Sequence, residues 1–359
     1  GFDTSVCKRY MDAAWELGMK CIITDFPIYV ETSKTSGTVD TTKITERLNN
    51  NNLQKAFRHP AFYGLQFGDE PSKEMVSQVA NAAKTIIDWW HNNAEFQNKP
   101  DPIIYTALRP YDKNTVSSFS TEDDYKTYIK NWFDNSGLDY VAFDLYTYTT
   151  RFYGTKKYGL TTYYYDPTKV IYDTLNSEAP DKEVFQVITG SADKSRTTEL
   201  KDTDVFGSML LAAAQDVAGY GVFSYRTDSH SILSMLDLNQ KFTATYYYHQ
   251  EANKQYEKIQ SILEGYEATN KAITVPSVGG YSGYNGSGLR YIESTFTNTN
   301  DVNKTYKFVV NFETGSTNTT KSVTVPENTI YYLFGYNQKT HQRVGTGEAI
   351  NLNNGEAIL

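Results

Sequence analysis

Short apolar segments alternate along residues 1–268 with longer segments whose apolar positions recur three and four residues apart. The first pattern is typical of buried strands and the second of amphipathic helices. A strand followed by a helix, repeated along the chain, predicts βαβ units and a parallel sheet. The predicted strands are residues 20–26, 62–69, 102–108, 138–148, 183–189 and 219–225.

The number of repeats indicates the fold class. At least six strand–helix units, with no Gly-rich dinucleotide-binding motif after the first strand, favour a closed (β/α)8 TIM barrel over a doubly wound sheet. The segment "GFDTS" at residues 1–5 fits the end of a further strand, and we expect the first β/α unit to be missing from the numbered chain. The barrel is predicted to span residues 1–270.

The pattern changes after about residue 270. A Gly/Ser-rich stretch at residues 276–288 is followed by segments that alternate apolar and polar positions without a helical period. Asn, Gly and Thr residues join these segments as turns. Residues 271–359 are therefore predicted to form a small antiparallel β-sandwich.

The second predicted strand ends in two adjacent carboxylates, in "FYGLQFGDEPS" at residues 62–72. Alternation along a strand places Glu70 and Gln66 on one face and Asp69 on the other. Glu70 is then predicted to project into the carboxyl-terminal opening of the barrel, where this fold carries its active sites. Pro71 is predicted to keep Glu70 extended.

A structural interpretation of the same two carboxylates stays open. A helix is predicted to start around Ser72, with Ser72 as its N-cap. Carboxylates near the amino end of a helix are stabilised by its dipole. Asp69 and Glu70 could serve that purpose alone.

A strand that ends in an acid-Glu-Pro triplet and leads into a helix resembles the fourth strand of clan A (β/α)8 glycoside hydrolases. The resemblance extends to "GFDTS", to "DYVAFDLYTY" at residues 139–148 and to the trailing sandwich, but only the triplet is a specific motif. It implies that Glu70 is the general acid that donates a proton to the glycosidic oxygen.

The chain departs from the family at the next catalytic position. Retaining members have a second Glu at the end of the seventh strand, whereas "EVFQVITGSAD" has Glu183 at the opposite end and Gln186 in the middle. Asp144 on the sixth strand is the first candidate for the partner carboxylate, acting as the base of an inverting enzyme. Asp69 beside Glu70 also resembles the Asp-Glu pair of hexosaminidases with substrate-assisted catalysis. The third alternative is a barrel that only binds glycan.

A long segment after the sixth strand, residues 146–167, is rich in aromatic side chains. Sugar rings pack their C–H faces on aromatic rings while their hydroxyls bond to polar groups, so this segment is predicted to contribute to a glycan platform. Some of these rings are equally explained as a local hydrophobic cluster. The candidate substrate-binding residues are Asp25, Gln66, Tyr146, Tyr148, Gln186 and Tyr225.

Composition and charge argue against several classes of binding partner. A net charge of −8 without any basic block argues against nucleic acid, and no apolar run approaches the length of a membrane span. The His and Cys residues show no metal-ligand spacing, and neither a metal nor another cofactor is expected. We expect an extracellular or cell-surface bacterial glycosidase that acts as a monomer on a carbohydrate substrate, the alternative being a noncatalytic glycan-binding protein.

Overall fold

The computed structural model describes residues 4–24, 38–111, 119–145, 152–153, 156–157, 161–190, 192–193, 200–225, 227, 231–232, 234–274, 289–312 and 320–359. The helices are α1 (Thr4–Glu16), α2 (Thr41–Leu48), α3 (Asn51–Phe57), α4 (Val76–Asn92), α5 (Glu122–Ser136), α6 (Thr161–Glu178), α7 (Asp202–Ala214) and α8 (Ala244–Ile262). The first ten strands are β1 (Cys21–Thr24), β2 (Phe62–Asp69), β3 (Ile103–Leu108), β4 (Tyr140–Asp144), β5 (Phe152–Tyr153), β6 (Lys156–Lys157), β7 (Glu183–Thr189), β8 (Ala192–Asp193), β9 (Gly219–Phe223) and β10 (Ser231–Ile232). The remaining strands are β11 (Tyr266–Thr274), β12 (Tyr291–Asn298), β13 (Thr305–Asn311), β14 (Lys321–Thr324), β15 (Ile330–Tyr331), β16 (Leu333–Phe334), β17 (Arg343–Val344), β18 (Ala349–Leu352) and β19 (Glu356–Ile358).

Each of the six predicted segments contains a strand, and these strands belong to one sheet with the order β1-β2-β3-β4-β7-β9. The pairs β1·β2, β2·β3, β3·β4 and β7·β9 are parallel, and helices occur between successive strands. The prediction of an α/β fold with a parallel sheet is thus confirmed. Closure into an eight-stranded barrel stays a prediction.

The chain divides into two compact units, the first of which comprises Gly1–Asp144 and Thr174–Glu183. Its strands β1 to β4 are covered by helices such as α4, which turns Val79, Ala83, Ile86 and other apolar side chains into the interior. Helix α5 begins at a Thr121 N-cap, whose hydroxyl accepts a hydrogen bond from the Asp124 N–H at 3.1 Å. These helices hold the strands that position the candidate site.

Strands β2 and β3 approach each other closely at Gly64. A Cβ atom on this residue would stand 2.0 Å from the carbonyl oxygen of Ile103, which is the partner of Gly64 in the sheet. Only glycine lacks that atom, so the sequence allows the close pairing at this point.

The second unit comprises Leu145–Asp173 and Val184–Leu359 and holds the parallel pair β7·β9 together with an antiparallel sheet. That sheet has the order β11-β12-β13-β19-β16. Every residue of α7 from Asp204 to Ala214 is buried, and the helix contacts α8 as well as strands β12, β13 and β19. The Ser294 hydroxyl donates a hydrogen bond to the carbonyl of Ala214 at 2.5 Å, which ties β12 to the end of α7.

The carboxyl-terminal region is antiparallel, as predicted. A hydrophobic cluster contains Val309 and Ile358 of the five-stranded sheet, and Val323 and Ile350 of the β14·β18 pair pack against it. The two sheets therefore share apolar contacts, as the layers of a sandwich do. Strand β11 runs across the predicted domain boundary at residue 270, so the antiparallel sheet begins earlier than the sequence pattern indicates.

Among the described helices, none combines the length and apolar character that crossing a bilayer requires.

Candidate functional site

The end of β2 contains a β-bulge. Gln66 pairs with Tyr105 of β3 and Gly68 pairs with Thr106, so the register passes over Phe67, whose side chain is fully buried. Asp69 then pairs with Ala107. An extra residue in one strand reverses the alternation beyond it. The predicted uninterrupted alternation is therefore wrong at Phe67, and Asp69 lies on the same face as Gln66 and Tyr105.

Asp144 shares this face. Ala107 of β3 pairs with Ala142 of β4, and Asp144 follows Ala142 by one full strand period. The pKa of Tyr105 is consistent with this pairing of the strands. Burial raises that pKa, and the charges of Asp144 and Asp69 raise it further. The structure thus brings Asp69 and Asp144 close to one phenol, at the carboxyl ends of β2 and β4.

Asp69 occupies a partly desolvated position. Its side chain still reaches solvent, yet the protein atoms packed around it raise the pKa of its carboxyl group. The positive charge of Arg109 opposes that effect and lowers the same pKa. Asp144, by contrast, is almost fully buried.

Glu70 directly follows β2 and has a left-handed backbone with φ of 40°. The extended conformation expected from Pro71 is therefore wrong. The N–H of Glu70 donates to the carbonyl of Ala107 at 2.8 Å, and its own carbonyl accepts a hydrogen bond from the Arg109 guanidinium at 3.1 Å. These two bonds to the end of β3 hold a conformation that is unfavourable for a residue with a side chain.

The helix-capping interpretation of the two carboxylates is not supported. Helix α4 begins at Val76 with Met75 as its N-cap, and its first turn contains no acidic residue. The prediction that Ser72 caps this helix is wrong for the same reason. Asp69 and Glu70 precede the N-cap residue Met75 in the chain and are not part of the first turn, where the helix dipole acts on side chains.

Gln66 lies on the face of the sheet that carries Tyr105, Asp69 and Asp144, and its side chain is half-buried. Its side-chain carbonyl accepts a hydrogen bond from the Thr24 hydroxyl at 2.8 Å, and Thr24 is its partner in β1. This bond fixes the amide orientation, so the NH₂ group of Gln66 is the end turned away from Thr24. A fixed amide donor on this face can bind an acceptor oxygen.

Gln186 and Tyr225 belong to the second unit. Gln186 is fully buried and accepts a hydrogen bond from the hydroxyl of Tyr172 on α6, which favours a structural role for its side chain. Tyr225 is 51% exposed, and its backbone carbonyl accepts a hydrogen bond from Leu236. The other three candidate substrate-binding residues, Asp25, Tyr146 and Tyr148, lie outside the described residues.

Sequence reasoning missed Tyr105, Arg109 and Thr24. The position of Arg109 immediately after an apolar strand is a signal of the same kind as that of Glu70. Tyr105 interrupts an otherwise aliphatic strand, but its relation to the carboxylates depends on the register between strands.

Within the described part of the chain, no three His, Cys, Asp or Glu side chains converge as metal ligands would.

Comparison with known proteins gives structural likeness only. No protein-family model matches the chain, and no curated protein matches it. An endo-β-1,3-glucanase of glycoside hydrolase family 128 (subgroup II) from Sorangium cellulosum is 15% identical, with 67% of this chain and 84% of the glucanase covered and a TM-score of 0.40.

Two further similar structures cover nearly the whole chain. A protein described as a glycoside hydrolase is 10% identical over 99% of this chain and 88% of its own, with a TM-score of 0.47. A glycoside hydrolase of family 5 from Bacteroides vulgatus is 9% identical over 99% and 85%, with a TM-score of 0.43. All three are glycoside hydrolases, and likeness at this level does not establish an activity for this chain.

Proposed function

We propose that the protein is a glycoside hydrolase that cleaves O-glycosidic bonds of an oligo- or polysaccharide with Glu70 as the general acid. The observation that supports the proposal best is the position of three acidic residues at the carboxyl ends of β2 and β4, two strands of one parallel sheet with β3 between them. Asp69 ends β2, Glu70 follows it, and Asp144 ends β4. Active sites of parallel α/β folds occupy this end of the sheet.

The chemistry needs two carboxyl groups with different tasks. One donates a proton to the leaving oxygen, and the other activates water or stabilises the developing positive charge on the sugar. Glu70 has an anchored backbone and a half-buried side chain, which suits a proton donor of fixed position. Asp144 is the proposed partner carboxylate, and Asp69 adds a third acid to the same site.

The direct test is Glu70→Gln, assayed on a panel of β-1,3- and β-1,4-linked oligosaccharides by release of reducing ends. A general acid contributes about 10²- to 10⁴-fold, and we expect a loss of kcat in that range. Glu74→Gln is the matched control because Glu74 lies exposed in the turn that follows and should retain full activity. Full activity of Glu70→Gln on any glycoside that the wild type hydrolyses would contradict the proposal.

A noncatalytic glycan-binding protein is the second candidate. It is motivated by one feature of the sequence: residues 186–190, at the carboxyl end of β7, contain no carboxyl side chain where a retaining enzyme needs its nucleophile. This candidate predicts measurable oligosaccharide affinity without release of reducing ends over prolonged incubation. Hydrolysis by the wild type that Glu70→Gln abolishes would exclude it.

A further inference from the structure

We propose that Tyr128 of α5 is a positioning residue that, together with Arg109, fixes the backbone on both sides of Glu70. The inference rests on the proposed function because it assigns a second residue to the same site. Tyr128 belongs to a helix, and its hydroxyl group bonds to backbone atoms of Pro71 and Arg109, which are distant in sequence. Tyr128 does not act on a substrate in this proposal.

The Tyr128 hydroxyl joins the ends of two strands. It donates a hydrogen bond to the carbonyl of Pro71 at 2.9 Å and accepts one from the N–H of Arg109 at 3.0 Å. Pro71 follows Glu70 after β2, and Arg109 is the first residue after β3. One phenol therefore satisfies a backbone acceptor of one loop and a backbone donor of the next.

These two bonds complete a set that surrounds Glu70. The N–H of Glu70 is bound to the Ala107 carbonyl, and the carbonyl of Glu70 is bound to the Arg109 guanidinium. The Pro71 carbonyl, the next backbone acceptor, is bound to Tyr128. A non-glycine residue with φ of 40° needs such support, because its left-handed backbone is intrinsically unfavourable.

The position of the hydroxyl is determined by packing. Tyr128 is 1% exposed, and its ring lies 4.9 Å from the ring of Phe119 and 5.9 Å from that of Tyr125, centroid to centroid. Burial raises the pKa of the Tyr128 phenol, so the group keeps the proton that it donates to Pro71. The bond with the Arg109 N–H works in the opposite direction, while the charges of Glu70 and Asp144 raise the pKa further.

The chain offers a matched control at the opposite end of the sheet. Tyr140, the first residue of β4, accepts a hydrogen bond from the N–H of Ile104 at 2.7 Å through its hydroxyl. It also joins a tyrosine side chain to the backbone of β3, but near the amino end of that strand. Tyr140→Phe therefore removes a comparable bond without touching the segment around Glu70.

The experiment compares Tyr128→Phe with Tyr140→Phe by amide hydrogen exchange and by kinetics. The substrate is the oligosaccharide of the test panel that the wild type hydrolyses fastest. In Tyr128→Phe, exchange at the amides of Glu70 and Arg109 should accelerate about tenfold or more, because their local support is lost. The kcat should fall about 10- to 100-fold with little change in KM. In Tyr140→Phe, exchange at these two amides and kcat should match the wild type.

The hydrogen-exchange measurement and the kinetic measurement can each contradict the inference. Unchanged exchange at Glu70 and Arg109 in Tyr128→Phe overturns the inference, whether or not any glycoside is hydrolysed. Accelerated exchange with an unchanged kcat overturns the positioning role. An equal loss of kcat in both variants also overturns it, because the loss would then reflect a general decrease in stability. If the wild type hydrolyses no glycoside, the proposed function fails while the exchange arm still decides whether Tyr128 holds the Glu70 segment.

Discussion

Asp69 and Glu70 are adjacent in sequence, but different contacts determine where each residue lies. Asp69 reaches the face of Tyr105 and Asp144 through the strand register, which the bulge at Phe67 has shifted. Glu70 lies beyond the last strand pairing, and its direction is set by a left-handed backbone that neighbouring residues hold in place. Different contacts therefore fix the backbone at these two adjacent residues.

A buried histidine gives a residue-scale prediction about pH. Burial lowers the pKa of His249 on α8 to about 4, and a smaller effect of the nearby Thr189 backbone opposes that shift. Above about pH 6.5 the ring is neutral in both the folded and the unfolded chain. At lower pH the unfolded chain takes up the proton and the folded chain does not, so stability is lost as the pH falls from about 6.5 towards 4.

The expected size of this loss is about 2 kcal/mol between about pH 8 and pH 5. Urea unfolding at both pH values measures it as the drop in free energy of unfolding. His249→Asn should remove this part of the drop, whereas His341→Asn, at an exposed position, should keep it. An identical drop in the wild type and in His249→Asn would contradict the assignment.

At the scale of elements, the apolar pattern predicted the six strands of the parallel sheet, because buried strands are continuous apolar runs between helices. It also located the end of β2, which carries Asp69 and Glu70, whereas the predicted strand at residues 138–148 extended past Asp144, where β4 ends. It could not predict the bulge at Phe67, since an extra residue is visible only in the pairing with β3. The contacts of Glu70 with Ala107 and Arg109 likewise depend on tertiary structure, which overrode the extended preference expected before Pro71.

Two strand glycines allow a matched test of how closely strands approach. Gly64→Ala should reduce the free energy of unfolding by about 3 kcal/mol or more, because the new Cβ would stand 2.0 Å from the Ile103 carbonyl oxygen. Gly221→Ala in β9 should change it by less than about 1 kcal/mol, since the nearest atom there is a Val187 methyl carbon at 3.8 Å. Chemical denaturation measures both. Equal effects would mean that β2 can move away from β3 at little cost.

At the scale of the whole molecule, the sequence pattern indicated a barrel followed by a separate sandwich. Within the second unit, however, α7 is buried along Asp204 to Ala214 and contacts both α8 and the antiparallel sheet. A helix that is apolar on all sides needs cover on all sides. Gln255 of α8 adds two hydrogen bonds to the backbone of Gly335, at 3.1 and 3.0 Å. The antiparallel sheet is therefore part of the core that α7 and α8 require.

This dependence predicts that a chain ending at residue 270 does not fold cooperatively. Removing strands β12 to β19 would expose the face of α7 that packs on them, and we expect aggregation and loss of a sharp thermal transition. In the full chain, Ser294→Ala should lower the free energy of unfolding by about 1–3 kcal/mol, because it leaves the buried Ala214 carbonyl without this donor. Ser322→Ala, exposed on β14, should have little effect. A shortened chain with the unfolding midpoint of the full protein would show instead that α7 is stable without the antiparallel sheet.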